Sequence, residues 1–221
     1  ILGAHEKADA DKIYTDDSML ASDTGIAVQL VEGSRCNIKI TRLTDIKMAE
    51  AILQKDMITL SGLGFDVHAF DADRGGPVRL CGVDVEHAHA LKGHSDADVA
   101  LHAITDAILG AIAEGDIGVH FPPSDVAFKD MDSAVFLEKA MEMLRDKGGV
   151  LQNIDLTLIC EAPKIGVHAP RMRQRLSDIT TLPVSRINVK ATTTERLGFT
   201  GRREGIAAQA LVTVTIPKDM T

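Results

Sequence analysis

The chain has 221 residues, and 24 Lys and Arg face 32 Asp and Glu, for a formal net charge of -8. That length allows one large domain or one ordinary domain with an appendage, and 45% apolar residues support a real core. The acidic balance argues against a nucleic-acid partner, which wants a basic surface, although a bound cation could still make an anionic substrate welcome.

Cys36, Cys81 and Cys160 are scattered without paired spacing, as in a chain of the reducing cytoplasm rather than a disulfide framework. No apolar run approaches membrane-spanning length, and no signal peptide is visible. The first residue is Ile1 and not Met, so a piece of something longer is expected.

In chain order, Ala4 to Asp11 is polar. Thr15-Asp16-Asp17 reads as a cap ahead of a short helix through Ala21. Ala27 to Val31 and Asn37 to Thr41 read as strands, and Leu43 to Gln54 has helical periodicity. This stretch buries too little surface to fold securely alone. Lys55 to Ser61 is the expected junction, dividing the chain into residues 1–57 and 58–221.

Phe65-Asp66-Val67-His68 alternates apolar and polar, the period of a half-buried strand, which turns Asp66 and His68 to one face. Arg74 to Pro77 is a turn and Val78 to Val85 a strand carrying Cys81-Gly82. Glu86-His87-Ala88-His89 reads as a solvated loop rather than a second metal cluster. Ser95 followed by Asp98 fits a capping box before the apolar-periodic run Val99 to Ile112. His102 lies about two turns into that helix and can be aimed at the Asp66/His68 pair. One carboxylate and two imidazoles suit zinc, with the fourth position left for substrate. The helix-opening N–H groups at Ser95 and beyond could hold a phosphate oxygen. Asp106, one turn past His102, could orient that ring or be a solvated helix carboxylate, and the sequence leaves both open.

Further on, Asp116-Ile117-Gly118 and Phe121 to Asp125 are loops, and Lys129 to Lys147 is an amphipathic helix. Ile154 to Cys160 is a strand leading into the loop Glu161 to Gly166, and Pro170 to Thr180 is a helix with Pro in its first turn. Ile187 to Thr193 is a β-branched strand, Gly198 to Arg202 a glycine-punctuated turn with a cation, and Gly205 to Ile216 a final strand. Taken alone, Thr192-Thr193-Thr194-Glu195 is a plain Thr-rich strand end, although hydroxyls beside a carboxylate also suit phosphate oxygens and magnesium.

Gly64-Phe65-Asp66-Val67-His68, the run His94 to His102, Gly115-Asp116-Ile117-Gly118, Ala162-Pro163-Lys164 and Asn188 to Gly205 together resemble the 2-C-methyl-D-erythritol 2,4-cyclodiphosphate synthase family over roughly Leu60 to Ile216. The resemblance implies an α+β domain with a mixed β-sheet and helices packed on one face, assembled as a homotrimer with sites shared between neighbouring subunits. It implies Zn2+, or another divalent ion such as Mn2+, on Asp66, His68 and His102, and Mg2+ at Glu195. His94 and Thr193 take transition-state roles. Ser95, Asp116, Ile117, Gly118, Phe121, Asp125, Ala162, Pro163, Lys164, Thr192, Thr194, Phe199 and Arg202 line the substrate. The substrate implied is a cytidine diphosphate ester whose own 2-phosphate closes a ring and expels CMP. Leu60 and Pro123 depart from the family's usual residues.

Val31 to Thr41 and the helix after it resemble the C-terminal end of 2-C-methyl-D-erythritol 4-phosphate cytidylyltransferase, which is known fused to the cyclase. Lys39 reads as an ordinary strand lysine, and no transferase activity is expected. Two other readings remain: a metal-dependent phosphohydrolase and a non-catalytic metal-stabilised scaffold.

Overall fold

The computed structural model describes residues 2–34, 36–122, 128 and 131–218. It divides into two units, Ile1–Gln54 and Lys55–Thr221.

The first unit carries helices α1 (Leu2–His5), α2 (Asp17–Asp23) and α3 (Leu43–Gln54). Helix α2 starts where the sequence places it, because the Asp16 side chain accepts the Met19 N–H at 2.8 Å. The two expected strands, Ala27 to Val31 and Asn37 to Thr41, do not form. A strand exists only through a neighbour that pairs its backbone groups. Here Asn37 N–H bonds Ser34 O and Ile38 N–H bonds Cys36 O, local turns in place of a ladder.

The second unit is built on a four-stranded sheet in the order β1-β6-β4-β5: β1 (Met57–Ala69), β6 (Gly205–Pro217), β4 (Val150–Ile159) and β5 (Ile187–Thr192). Strand β6 is antiparallel to both neighbours, and β4 pairs parallel with β5. A parallel pair needs a crossover, which α7 (Ala169–Thr180) supplies. Gly62 and Gly64 of β1, Ala208, Ala210 and Val212 of β6, Ile154, Leu156 and Leu158 of β4, and Ile187 and Val189 of β5 form one buried face. Helices α4 (Val99–Ala111), α6 (Ser133–Asp146) and α7 pack into the same core. The α+β reading, a mixed sheet with helices on one face, therefore holds. The other face leaves Leu63, Phe65 and Val67 of β1 and Leu211 of β6 exposed.

Val78 to Val85 is not one strand but a hairpin of β2 (Val78–Leu80) and β3 (Val83–Val85). Its turn residues Cys81 and Gly82 have φ of 54° and 69°, the left-handed backbone of a two-residue hairpin. Buried Asp98 makes this turn possible. Its carboxylate accepts the N–H groups of Cys81 (2.9 Å) and Gly82 (2.6 Å), and also those of Ala100 and Leu101 (3.1 Å each). Asp98 is thus the cap of α4, and the expected Ser95–Asp98 capping box is not made. Helix α6 begins at Ser133 under an Asp132 cap, later than the sequence places it, and Lys129 lies outside the described residues.

Gly62 and Gly64 set how closely α4 lies on β1. A Cβ at Gly64 would stand 1.9 Å from Ala103 O, and one at Gly62 1.9 Å from Ala107 O. Only hydrogen at both positions lets the helix backbone rest on the strand. That contact fixes His102 above the β1 residues that follow Gly64.

Candidate metal centre

Three ligand atoms converge at the end of β1. His68 Nε2 and Asp66 Oδ2 are 3.1 Å apart, His102 Nδ1 and Asp66 Oδ2 3.0 Å, and His68 Nε2 and His102 Nδ1 3.2 Å. Four ligands at zinc's usual bond length of about 2.0 Å sit at tetrahedral corners roughly 3.3 Å apart. The triangle therefore already has the edge lengths of one face of such a tetrahedron. Among the described residues it is the only group of three or more His, Cys, Asp or Glu that could hold a metal ion.

Each ring is held from its far side. His68 Nδ1 lies 2.7 Å from Lys92 O, so it donates there and turns Nε2 toward the triangle. His102 Nε2 lies 2.9 Å from Ser133 Oγ and 3.2 Å from Ser95 Oγ, on the side away from Asp66. Burial by itself would raise the Asp66 carboxyl, but hydrogen bonds from His102 and His68 outweigh it and hold the group well below the usual carboxylate range. Burial would likewise lower His68, yet its hydrogen bond and charge attraction to Asp66 leave it raised. An ionised carboxylate facing two imidazole nitrogens is a cation site by its chemistry.

Among the described residues no hydrogen bond joins Asp106 to His102. Its carboxylate accepts the Ile117 N–H at 2.8 Å, which anchors the loop at the start of α5 (Ile117–His120) beside α4. The orienting role left open for Asp106 belongs to Ser133. Asp116 caps α5 through the Val119 N–H at 3.0 Å, and Gly118 lies exposed within that helix. Phe121 packs 4.6 Å from Phe136, which in turn faces the His102 ring at 5.9 Å. The segment from Asp116 to Phe121 therefore borders the triangle. Asp125, with Pro123, lies outside the described residues.

His94 is exposed in the loop before α4, and Ser95 is half-buried against His102. His87 stacks on Phe70 at 4.4 Å and its Nδ1 pairs with His89 O, which accounts for the His87/His89 pair without a metal.

The remaining expected residues gather at the opposite sheet edge. Thr192 ends β5, three strands from β1, or roughly 14 Å at the usual strand spacing. Thr193 Oγ1 donates to Glu195 Oε1 at 2.7 Å, and Thr194 Oγ1 contacts Thr200 Oγ1 at 2.9 Å. Glu161 Oε1 accepts the N–H groups of Thr194 (3.3 Å) and Arg196 (3.1 Å), tying this turn to the Ala162-Pro163-Lys164 loop. Phe199 lies in the short helix α8 (Gly198–Gly201), and Arg202 turns its guanidinium onto Glu204 at 2.8 and 2.9 Å. Within one chain this cluster and the triangle do not meet.

Residues 59–215 match the model of the YgbB family, and residues 1–55 match that of 2-C-methyl-D-erythritol 4-phosphate cytidylyltransferase. A bifunctional enzyme IspD/IspF of Gluconobacter oxydans (strain 621H) is 56% identical over 203 residues, covering 92% of this chain and 52% of the relative. The chain spans about half the length of the curated relatives it matches. The solved bifunctional IspDF from Campylobacter jejuni superposes with a TM-score of 0.69 at 38% identity, over 94% of this chain and 56% of that one. A CDP-bound 2C-methyl-D-erythritol-2,4-cyclodiphosphate synthase superposes with a TM-score of 0.64 at 35% identity, over 70% of this chain and 99% of that one.

Proposed function

The chain belongs to the YgbB family, and from that premise we propose that its second unit is a metal-dependent 2-C-methyl-D-erythritol 2,4-cyclodiphosphate synthase of the non-mevalonate isoprenoid pathway. One observation carries the reading: Asp66, His68 and His102 present three metal-binding atoms 3.0–3.2 Å apart, with the far nitrogen of each ring already engaged. The substrate is 4-diphosphocytidyl-2-C-methyl-D-erythritol 2-phosphate. An oxygen of its 2-phosphate forms a bond to the β-phosphorus, the bond from that phosphorus to the bridging oxygen breaks, and CMP leaves with that oxygen.

The nucleophile is part of the substrate, so no Ser or Cys nucleophile is needed. The protein's work is to fold the substrate in line and to neutralise charge; positioning alone is worth ~7–11 kcal/mol. A divalent ion such as Zn2+ or Mn2+ held by Asp66, His68 and His102 would supply positive charge at the diphosphate. Asp116 to Phe121 borders that point and contacts the erythritol portion. The Ala162-Pro163-Lys164 loop takes the cytosine, largely through backbone groups. Thr192 to Glu195 and Arg202 receive the phosphates, Glu195 would hold Mg2+ as added positive charge there, and His94 and Thr193 act on the transition state.

Because the two clusters lie about three strand spacings apart in one chain, each site draws Thr192 to Glu195 from a second copy. The exposed apolar stripe of Leu63, Phe65, Val67 and Leu211 supports a homotrimer, since such a stripe needs covering. The CDP-bound relative supports a nucleotide diphosphate substrate. Among the described residues no helix is long and apolar enough to cross a membrane.

Phosphorus NMR of the products tests the function. The cyclic diphosphate should appear in step with CMP. An open diphosphate or free monophosphates would mean hydrolysis and overturn the assignment.

A further inference from the structure

After β5 the chain makes a turn with little of its own to hold it. Thr192, Thr193, Glu195 and Arg196 are all exposed. Glu195 and Arg196 have φ of 52° and 65°, two consecutive left-handed residues that carry side chains, a backbone that only glycine adopts freely. The β4–β5 ladder does not reach them. It ends at the pair Ile159↔Thr192, with the Cys160 N–H on Thr192 O at 3.1 Å. One residue further the two backbones part, and the Glu161 side chain bridges the gap. Its Oε1 accepts the N–H groups of Thr194 at 3.3 Å and of Arg196 at 3.1 Å. Among the described residues these are the only hydrogen bonds that reach residues 193–196 from outside residues 192–204. On its other side the turn is backed by α8, where a Cβ on Gly201 would stand 2.2 Å from the Arg196 carbonyl carbon.

We propose that Glu161 is a positioning residue that joins recognition of the nucleotide to placement of its phosphates. The inference deepens the proposed function and rests on its assignment of the Ala162-Pro163-Lys164 loop to cytosine and of Thr192 to Glu195 to the phosphates. Glu161 heads the first segment and holds the second. One carboxylate oxygen bonds two N–H groups on either side of Glu195, which sets the curvature of the turn. It thereby places Thr193 Oγ1 and the Glu195 carboxylate, themselves 2.7 Å apart. A base seated on the loop finds the phosphate turn already shaped. Removing the acceptor frees the turn and leaves the loop's own backbone groups in place. The role needs only an accepting oxygen, so Gln serves as well as Glu. Met, of similar length, offers only a weakly accepting thioether.

Glu161→Met and Glu161→Gln in the full chain test this. Calorimetry gives the affinities for cytidine and for CDP in the presence of Mg2+. Cytidine reads the loop alone, and CDP reads the loop and the turn. Hydrogen–deuterium exchange of the nucleotide-free protein is followed on peptides covering Thr192 to Leu197. In Glu161→Met, CDP affinity should fall about tenfold, the scale of one or two such hydrogen bonds, while cytidine affinity stays within about twofold. Exchange in the turn should quicken about tenfold. Glu161→Gln should stay within about threefold of the wild type in all three measurements. Equal losses for cytidine and CDP would mean that Glu161 supports only its own loop, and unchanged exchange in Glu161→Met would mean that it does not hold the turn; either result overturns the proposal. A wild type that binds neither cytidine nor CDP would instead overturn the nucleotide reading, and the exchange comparison would still decide whether Glu161 holds the turn.

Discussion

The two units show what a local sequence pattern can and cannot do. In the first, only Ala4 and Leu20 are buried apolar side chains among the described residues, while Leu2, Ile13, Leu30, Val31, Leu43 and Leu53 stand exposed. Its helices form because caps and periodicity are local, but its alternating stretches find no partner and stay irregular. In the second, the same kind of alternation becomes β1 and β6, paired residue for residue from Met57↔Pro217 to Ala69↔Gly205. Position in a shared core, not pattern strength, decides the outcome, and the functional geometry is found where the core is.

The comparison breaks if ligands in the second unit can be lost without consequence. His102→Ala should lower turnover on the order of a thousandfold, since a metal's charge stabilisation is worth several kcal/mol; rates of product formation at saturating substrate measure it. Gly64→Ala comes next. Its Cβ would meet Ala103 O and Ala107 N at 1.9 and 2.8 Å, so α4 must move off β1. A loss of about 3 kcal/mol is expected, near ~10 °C in melting temperature, together with weaker zinc binding as His102 shifts.

Thiol labelling sharpens the contrast. Cys36 is exposed in the first unit, whereas Cys81 and Cys160 are buried in the second. Burial, helped by the nearby charge of Glu161, pushes the Cys160 thiol up to about 11. Raising pH from 7 to 9 keeps Cys160 below that point, so it stays protonated and its maleimide reaction stays slow throughout. At pH 8 its thiolate fraction is ~0.001, and Cys36 should react at least about a hundredfold faster. Fast labelling of Cys160 in the folded chain would mean the second unit opens easily. The smallest effect is reserved for Gly33→Ala, where a Cβ meets nothing within 4 Å; stability should change by less than about 0.5 kcal/mol in a melting experiment.

Much of the site is legible because its signals are local. Asp66 and His68 share a face by the two-residue period of a strand, and His102 sits on a helix whose apolar stripe is plain in the sequence. The rest depends on contacts across long separations. Ser133 reaches His102 from 31 residues away, and nothing in an Asp-Ser pair at a helix start announces it. The Cys81-Gly82 turn is hidden for the same reason: Asp98, 17 residues on from Cys81, satisfies its N–H groups and so makes a hairpin of what reads as one strand. Asp106 is left open by the sequence for the same reason: its carboxylate accepts the N–H of Ile117, 11 residues on. Gly62 and Gly64 were visible as glycines, yet their purpose appears only with α4 lying against them.

Absorption spectroscopy at the zinc K edge of the zinc-loaded full chain addresses the centre most directly. The expected first shell is one ion per chain with two imidazole nitrogens and oxygen donors, all at about 2.0–2.2 Å, and it should vanish in Asp66→Ala. A sulfur shell near 2.3 Å, or a wild-type chain that retains no stoichiometric zinc, would contradict it.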